Sequence, residues 1–248
     1  MLETFEFNDK KLLDIGAVIT DKPSYVLSVR ELDLTALPGK SGDIITDKKR
    51  FKNISVTYKI TSVPTLGGLP EQDFVFALGE WLLSTYGYRS LRDTYNPGYY
   101  RKAVCTGISN PVVEASGVVS AAVTFNCDPF LYNDNGLNKV VYNSTENEVD
   151  TTLENPEMWD SEPVIKIIGN GSFSCLIGDV TFGINNVVDE ITIDKPNENV
   201  YDKDGVPCND KITAYKLPSL LGGTNVIRVI GVGDTEFTLE IIPNWRRL

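Results

Sequence analysis

The chain has 248 residues, no histidine, four cysteines and a formal net charge of −11. Without histidine there is no Ser-His-Asp triad, no Cys-His pair and no His-bearing zinc or iron site, and acid–base work falls to side chains whose ordinary pKa values lie far from neutrality. The acidic balance argues against specific nucleic acid and against anionic membranes as partners, while the length suits one large all-β domain or two domains of about 100–150 residues.

The opening segment, MLETFEFNDKKLLDIG, carries acidic residues where a signal peptide would be basic and has no apolar stretch behind them. No apolar run approaches the ~18 residues that span a bilayer, so synthesis and folding in a cytoplasm are expected. Strands are predicted over 24–34 (SYVLSVRELDL) and 51–60 (FKNISVTYKI), where Val, Ile and Tyr partly alternate with polar residues. Between them, 35–50 (TALPGKSGDIITDKKR) is long for a hairpin loop of 2–5 residues. It reads either as a functional loop or as a floppy surface excursion. Its Lys48-Lys49-Arg50 run reads as a solvated patch or as an interface to an acidic partner.

A helix is predicted from Pro70, with Glu71 and Asp73 suiting its dipole and Gly87 stopping it. Phe74, Leu78, Trp81 and Leu82 share one face and are expected in a core. Strands at 88–93 and 99–107 flank the turn Asn96-Pro97-Gly98, and 118–126 (VVSAAVTFN) closes the first half. Asp128-Pro129 and the cluster through Gly136 mark a connector. The expected domains are therefore 1–130 and 137–248, joined by 131–136. Residues 1–130 hold 14 Lys+Arg against 15 Asp+Glu, and 131–248 hold 9 against 19, so the negative charge belongs almost wholly to the second half.

That half reads as short strands at 140–143, 164–169, 173–177, 180–184, 190–194, 211–216, 225–232 and 236–242. Turn residues separate them and no helical period intervenes, the pattern of a β-sandwich. Asn170-Gly171 suits a two-residue hairpin turn. Cys105, Cys127, Cys175 and Cys208 are widely spaced and lack a C-x-x-C pair, so buried free thiols are expected.

Motifs that mimic chemistry fail on inspection. Gly39-Lys40-Ser41 resembles the end of a phosphate loop, but Leu34 stands where the first glycine belongs. Asp202-Lys203-Asp204-Gly205 lacks the flanking calcium ligands, since Val200 and Lys211 occupy those places, and is read as a plain turn. Three glycosylation sequons carry no meaning without secretion. No spacing selects a carboxylate pair for glycoside hydrolysis. Trp159, in an acidic, Asn-rich stretch, could stack on sugar or pack at an edge. On these grounds the chain is a mainly β, two-domain, acidic binding or assembly protein with no expected cofactor, metal or catalytic residue.

The ending Pro243-Asn244-Trp245-Arg246-Arg247-Leu248 resembles the Pro-x-Trp-Arg-x-Leu tail of the distal tail (Dit) proteins of siphophages, with Asn244 in place of a more usual basic residue. Other pieces agree in order: Ile191-Thr192-Ile193-Asp194, then Asn199 to Gly205; Leu217-Pro218, then Gly222 to Ile227; and, earlier, the long glycine-bearing loop, the helix and Asp128-Pro129-Phe130. The resemblance covers nearly the whole chain. It implies an N-terminal β-sandwich with one helix and a long hairpin loop, and a C-terminal galectin-like or carbohydrate-binding-module-like β-sandwich. It implies a homo-hexameric ring at the virion tail tip, able to stack in vitro, that docks on the tail tube protein and on a tail-associated fibre-like protein. In some relatives the second domain anchors receptor-binding proteins; a module for host cell-wall glycan is the alternative. The 35–50 loop resembles the arm by which neighbours clasp, which makes Leu37, Pro38, Gly39, Lys40, Lys48, Lys49 and Arg50 interface candidates. Pro243, Trp245 and Arg246 would be structural, and Trp159 the candidate sugar-stacking residue.

Overall fold

The computed structural model describes residues 2–109, 111–233 and 236–248. The chain divides into two compact units, Met1–Leu131 together with Leu248, and Tyr132–Arg247. Each has its own apolar core.

In the first unit the strands are β1 (Phe5–Phe7), β2 (Lys10–Lys11), β3 (Ala17–Asp21), β4 (Arg30–Ala36), β5 (Asp43–Phe51), β6 (Ile54–Ser62), β7 (Arg89–Asp93), β8 (Tyr99–Ile108), β9 (Val112–Val113) and β10 (Val119–Cys127). Seven of them follow one another in an antiparallel sheet, in the order β2-β1-β7-β8-β10-β6-β3, and β9 joins the same sheet beside β10. Strict alternation decides which face is dry. Along β6, Ile54, Val56, Tyr58 and Ile60 point inward, and along β10 Val119, Ala121, Val123, Phe125 and Cys127 do the same. The helix α1 (Glu71–Leu83) adds Phe74, Leu78, Trp81 and Leu82 to that core, the four residues its periodicity selects. The Trp81 indole donates to the Phe7 carbonyl at 3.0 Å, so its one polar atom is satisfied where it is buried.

The excursion between β3 and β6 corrects the expected loop at 35–50 and the strand expected at 24–34. Residues 22–29 are irregular, and β4 and β5 form an antiparallel ribbon with no other strand beside it among the described residues. The loop shrinks to the tip between Ala36 and Asp43. There Leu37-Pro38-Gly39-Lys40 makes a turn, with Lys40 N donating to the Leu37 carbonyl at 3.2 Å and Gly39 at φ +76°. Proline followed by a residue of positive φ is the type II pattern, which only glycine adopts without strain. A basic run had masked β5, because a ribbon wet on both faces need not alternate.

The second unit begins in β11 (Leu131–Asn133) and continues with β12 (Val140–Asn143), β13 (Glu148–Asn155), β14 (Val164–Ile168), β15 (Gly171–Ile177), β16 (Val180–Val187), β17 (Glu190–Asp194), β18 (Asn199–Asp202), β19 (Gly223–Gly231), β20 (Thr238–Ile242) and β21 (Arg246–Arg247). Two sheets, β12-β20-β14-β17-β18 and β13-β19-β15-β16, supply a shared core. Ile165, Ile167, Ile191, Ile193, Leu239 and Ile241 come from the first sheet; Phe173, Cys175, Ile177, Phe182, Ile184, Ile227 and Val229 come from the second. The mainly β fold class with one helix stands.

Two expectations are corrected here. Asn170-Gly171 does not turn a hairpin, because β14 and β15 belong to different sheets. The chain crosses between layers at this point, and Asn170 Oδ1 accepts from Asp189 N at 2.9 Å. The strand expected at 211–216 is instead a 3-10 turn (Asn209–Lys211) followed by a single bridge, Ile184 to Ile212. Only this short stretch meets the neighbouring strand, with Thr213 N donating to the Gly183 carbonyl at 2.9 Å.

Candidate functional site

The ribbon β4–β5 projects its apolar residues into water. Leu34 pairs across from Ile45, and Leu32 lies two residues along on the same face. Leu34 is 61% and Ile45 65% exposed. Tyr25, Leu27 and Val29, in the segment leading in, are exposed as well. A contiguous exposed apolar surface of this kind marks an interaction site rather than ordinary surface. The base of the ribbon is fixed: Lys52 N donates to the Val29 carbonyl at 2.9 Å, and Phe51 meets Phe130 edge-on with ring centres 6.1 Å apart.

The structure places the predicted interface residues at the two ends of this arm. Leu37, Pro38, Gly39 and Lys40 form its tip. Lys48, Lys49 and Arg50 form a bulge near its base, where the register shifts between Arg30 and Leu32. Lys49 sits in the left-handed region with φ +55°, its N–H donating to Asp47 Oδ1 at 2.8 Å. Two of the three basic residues are committed within the arm. Lys48 pairs with Asp33, which raises the lysine's pKa above its ordinary value, and Arg50 Nε lies 3.0 Å from Glu31 Oε2. Arg30 and Asp47 add a third bridge at 3.1 Å. Such exposed pairs are screened by solvent and set register more than stability. Leu32, Leu34 and Ile45 were not singled out in the sequence, although the alternation L-x-L was there to find.

The terminal motif is built into the second unit. Trp245 is only 5% exposed and belongs to its core. Asn133 N donates to the Trp245 carbonyl and Asn244 N to the Gly136 carbonyl, at 2.9 and 2.8 Å. A Cβ on Gly136 would lie 2.3 Å from Trp245 N, so glycine is required by close approach. Asn244 takes φ +54°, a conformation that asparagine tolerates better than a long basic residue, and its side chain donates to the Glu162 carbonyl at 2.8 Å. Arg246 straddles Glu162, with one guanidinium nitrogen 2.9 Å from each carboxylate oxygen, and its Nε donates to the Asp160 carbonyl at 2.8 Å. This planar fork on a carboxylate is one that lysine could not reproduce. Pro243 leads into the motif from β20.

Trp159 is 39% exposed, and its carbonyl accepts from Asn155 Nδ2 at 3.0 Å. A shallow, open recess of about 410 Å³ is lined by Asn155, Pro156, Glu157 and Met158, the stretch just before Trp159 in sequence, and by Gly222 and Gly223; Trp159 itself is not part of its lining. The four cysteines are free and buried, as expected, and burial pushes the Cys127 and Cys175 thiols up to about 12. The stretch from Asp202 to Gly205 is the expected turn: Asp202 Oδ1 accepts from Asp204 N and Val206 N at 3.0 and 2.9 Å. Among the described residues, no group of three or more Cys, Asp or Glu side chains is placed to hold a metal ion, and no helix is long and apolar enough to cross a membrane.

No family model and no curated protein sequence matches the chain. Among solved structures, it is similar to the crystal structure of the Dit protein (gp 19.1) of phage SPP1, described as a paradigm of the hub adsorption apparatus in phages that infect Gram-positive bacteria. The likeness covers 100% of both chains with a TM-score of 0.68 at 13% sequence identity. At that identity the likeness speaks to the path of the chain and not to its partners. The resemblance carried by the C-terminal motif is thus borne out at the level of architecture: this chain has the fold of a Dit protein.

Proposed function

We propose that the chain is a structural hub of a siphophage tail tip, whose copies close a homo-hexameric ring between the tail tube protein and a tail-associated fibre-like protein. Its place would be the virion, and its work mechanical rather than catalytic. The observation that carries this reading is the arm: an ordered two-stranded ribbon with an apolar face in water, on a chain whose whole length follows the fold of a hub protein. An isolated two-stranded ribbon is marginal in water, so it makes sense where a neighbour covers it. A closed ring needs two different complementary patches on each copy, and a projecting arm supplies one of them. The nearly neutral first half can crowd around an axis without like-charge repulsion, while the acidic second half carries solubility and suits an outward position. There it is available to a receptor-binding protein.

Negative-stain imaging and light scattering of the purified protein test this reading. Rings of six copies are expected. Because Val29 and Lys52 are already hydrogen-bonded neighbours, replacing residues 30–50 with a two-residue turn, which keeps Phe51 against Phe130, should remove the arm without disturbing β3 or β6. The shortened chain is expected to be monomeric with an unchanged melting profile. A wild-type chain that stays monomeric at every concentration, or rings that survive the deletion, would overturn the proposal. The part-exposed ring of Trp159 favours a second reading, a module for host cell-wall glycan. Calorimetric titration with wall polysaccharide decides it: heat abolished by Trp159→Ala supports sugar binding, and no heat leaves this unit as scaffold.

A further inference from the structure

Helix α1 has a second apolar row that its core-facing side does not use. Phe76 and Leu83, two turns apart, point directly away from Phe74, Leu78, Trp81 and Leu82, and are 65% and 54% exposed. Tyr86, just past the helix, is exposed too, and Gly79 leaves open space between the two side chains of the row. Asp73 and Glu80, with the same seven-residue spacing, run along its flank. The helix carries three acidic residues, Glu71, Asp73 and Glu80, and no basic one, for a balance of −3. The arm is its complement. Residues 22–52 hold seven basic and four acidic side chains, a balance of +3. After the three bridges within the ribbon, that surplus rests on residues such as Lys40 at the tip and Lys49 and Lys52 at the base.

We infer that the outward row of α1 is the seat for the arm of a second copy. The Leu32–Leu34–Ile45 face of that copy would lie along Phe76 and Leu83, with the arm's surplus lysines facing Asp73 and Glu80. This rests on the ring reading and adds the missing half of it, since it names the patch that receives the arm. The match is one of apolar face to apolar face and of opposite net charge, both written within residues 22–83. In a single copy both surfaces remain in water, which leaves each open to a neighbour. Charge opposition of this kind also selects orientation and rejects a helix-on-helix or arm-on-arm mode, where like charges would meet.

A photo-crosslinking phenylalanine analogue placed at position 76 of the full chain, in a mixture of ¹⁴N- and ¹⁵N-labelled copies, reads the contact directly. Crosslinks joining a heavy and a light copy, with the partner peptide inside residues 30–51, are expected. Crosslinks confined to one copy, or landing elsewhere, would overturn the inference. Independently, Phe76→Ser with Leu83→Ser removes only solvent-facing side chains, so the melting profile should hold while self-association weakens by at least about tenfold. Rings that vanish with the shortened arm but persist at full strength in this double variant would sink the helix seat and leave the ring standing. A wild-type chain that never associates would sink both.

Discussion

At the scale of single residues, the side chains that matter most are satisfied by partners far away in sequence. Tyr58 is buried in the first core and donates to Asp93 Oδ2 at 2.6 Å. Burial first, and then the nearby Asp93 carboxylate, hold its hydroxyl well above the ordinary tyrosine pKa. Below about pH 10 the folded and unfolded chains both keep this proton; above it the unfolded chain releases the proton first. Tyr58's contribution to stability is therefore complete below about pH 10 and is lost as the pH rises beyond it. Melting curves of the wild type and Tyr58→Phe between pH 8 and 11 check this. The wild type should lose stability more steeply at the alkaline end, while the variant is weaker at pH 8 by about 1 kcal/mol for the lost hydrogen bond. The same distance in sequence explains why the C-terminal motif was legible as a pattern but not as a mechanism. Nothing local to Trp245 and Arg246 announces that Gly136 presses on one or that Glu162 takes the fork of the other. Asn244, which looked like a departure from the family pattern, answers to a backbone angle that no spacing reveals.

At the scale of elements, legibility followed one-sided burial. Helix α1 could be read because four apolar residues share a face, and β6 and β10 because their alternation is strict. Strands β5 and β13 were missed for the converse reason. In β5 (DIITDKKRF) and β13 (EVDTTLEN), acidic and basic side chains line exposed positions and the inward residues are too few or too polar to set a period. The outward row of α1 lay in the same helix that was read correctly. A single sequence shows that Phe76 and Leu83 oppose the core, but only the packed structure shows that, among the described residues, no segment of the same unit covers them. The arm's own stability follows from its isolation. Three exposed bridges and one turn are not enough to hold two strands in water, so a synthetic peptide of residues 28–53 should give a largely unstructured circular dichroism spectrum. A stable ribbon in the peptide would mean that the arm needs no neighbour to be ordered.

At the scale of the whole molecule, two separate cores mean two sets of stabilising contacts. Multi-core chains depart from all-or-none unfolding, so calorimetry should give a van't Hoff enthalpy below the calorimetric one. Trp245→Ala, which empties a large buried site in the second core at a cost of about 3–5 kcal/mol, should lower one component of the transition and leave the other in place. A uniform shift of a single transition would show instead that the two cores unfold as one. Charge follows the same division. A −11 chain is a poor ligand for duplex DNA, and its negative charge is concentrated in the sequence beyond residue 130, whereas the arm and helix on which the proposed contact depends lie before it in the sequence.

The arm has a consequence for turnover. Exposed backbone outside a packed sheet is where proteases cut first. In a lone copy, residues 22–53 offer that backbone together with the leucines and tyrosine that many proteases prefer. In a ring the same segment would be covered by its neighbour. Surplus copies would then be nicked at the arm and lose the means to assemble, while assembled ones would be spared, so the segment that builds the ring would also mark which subunits are kept.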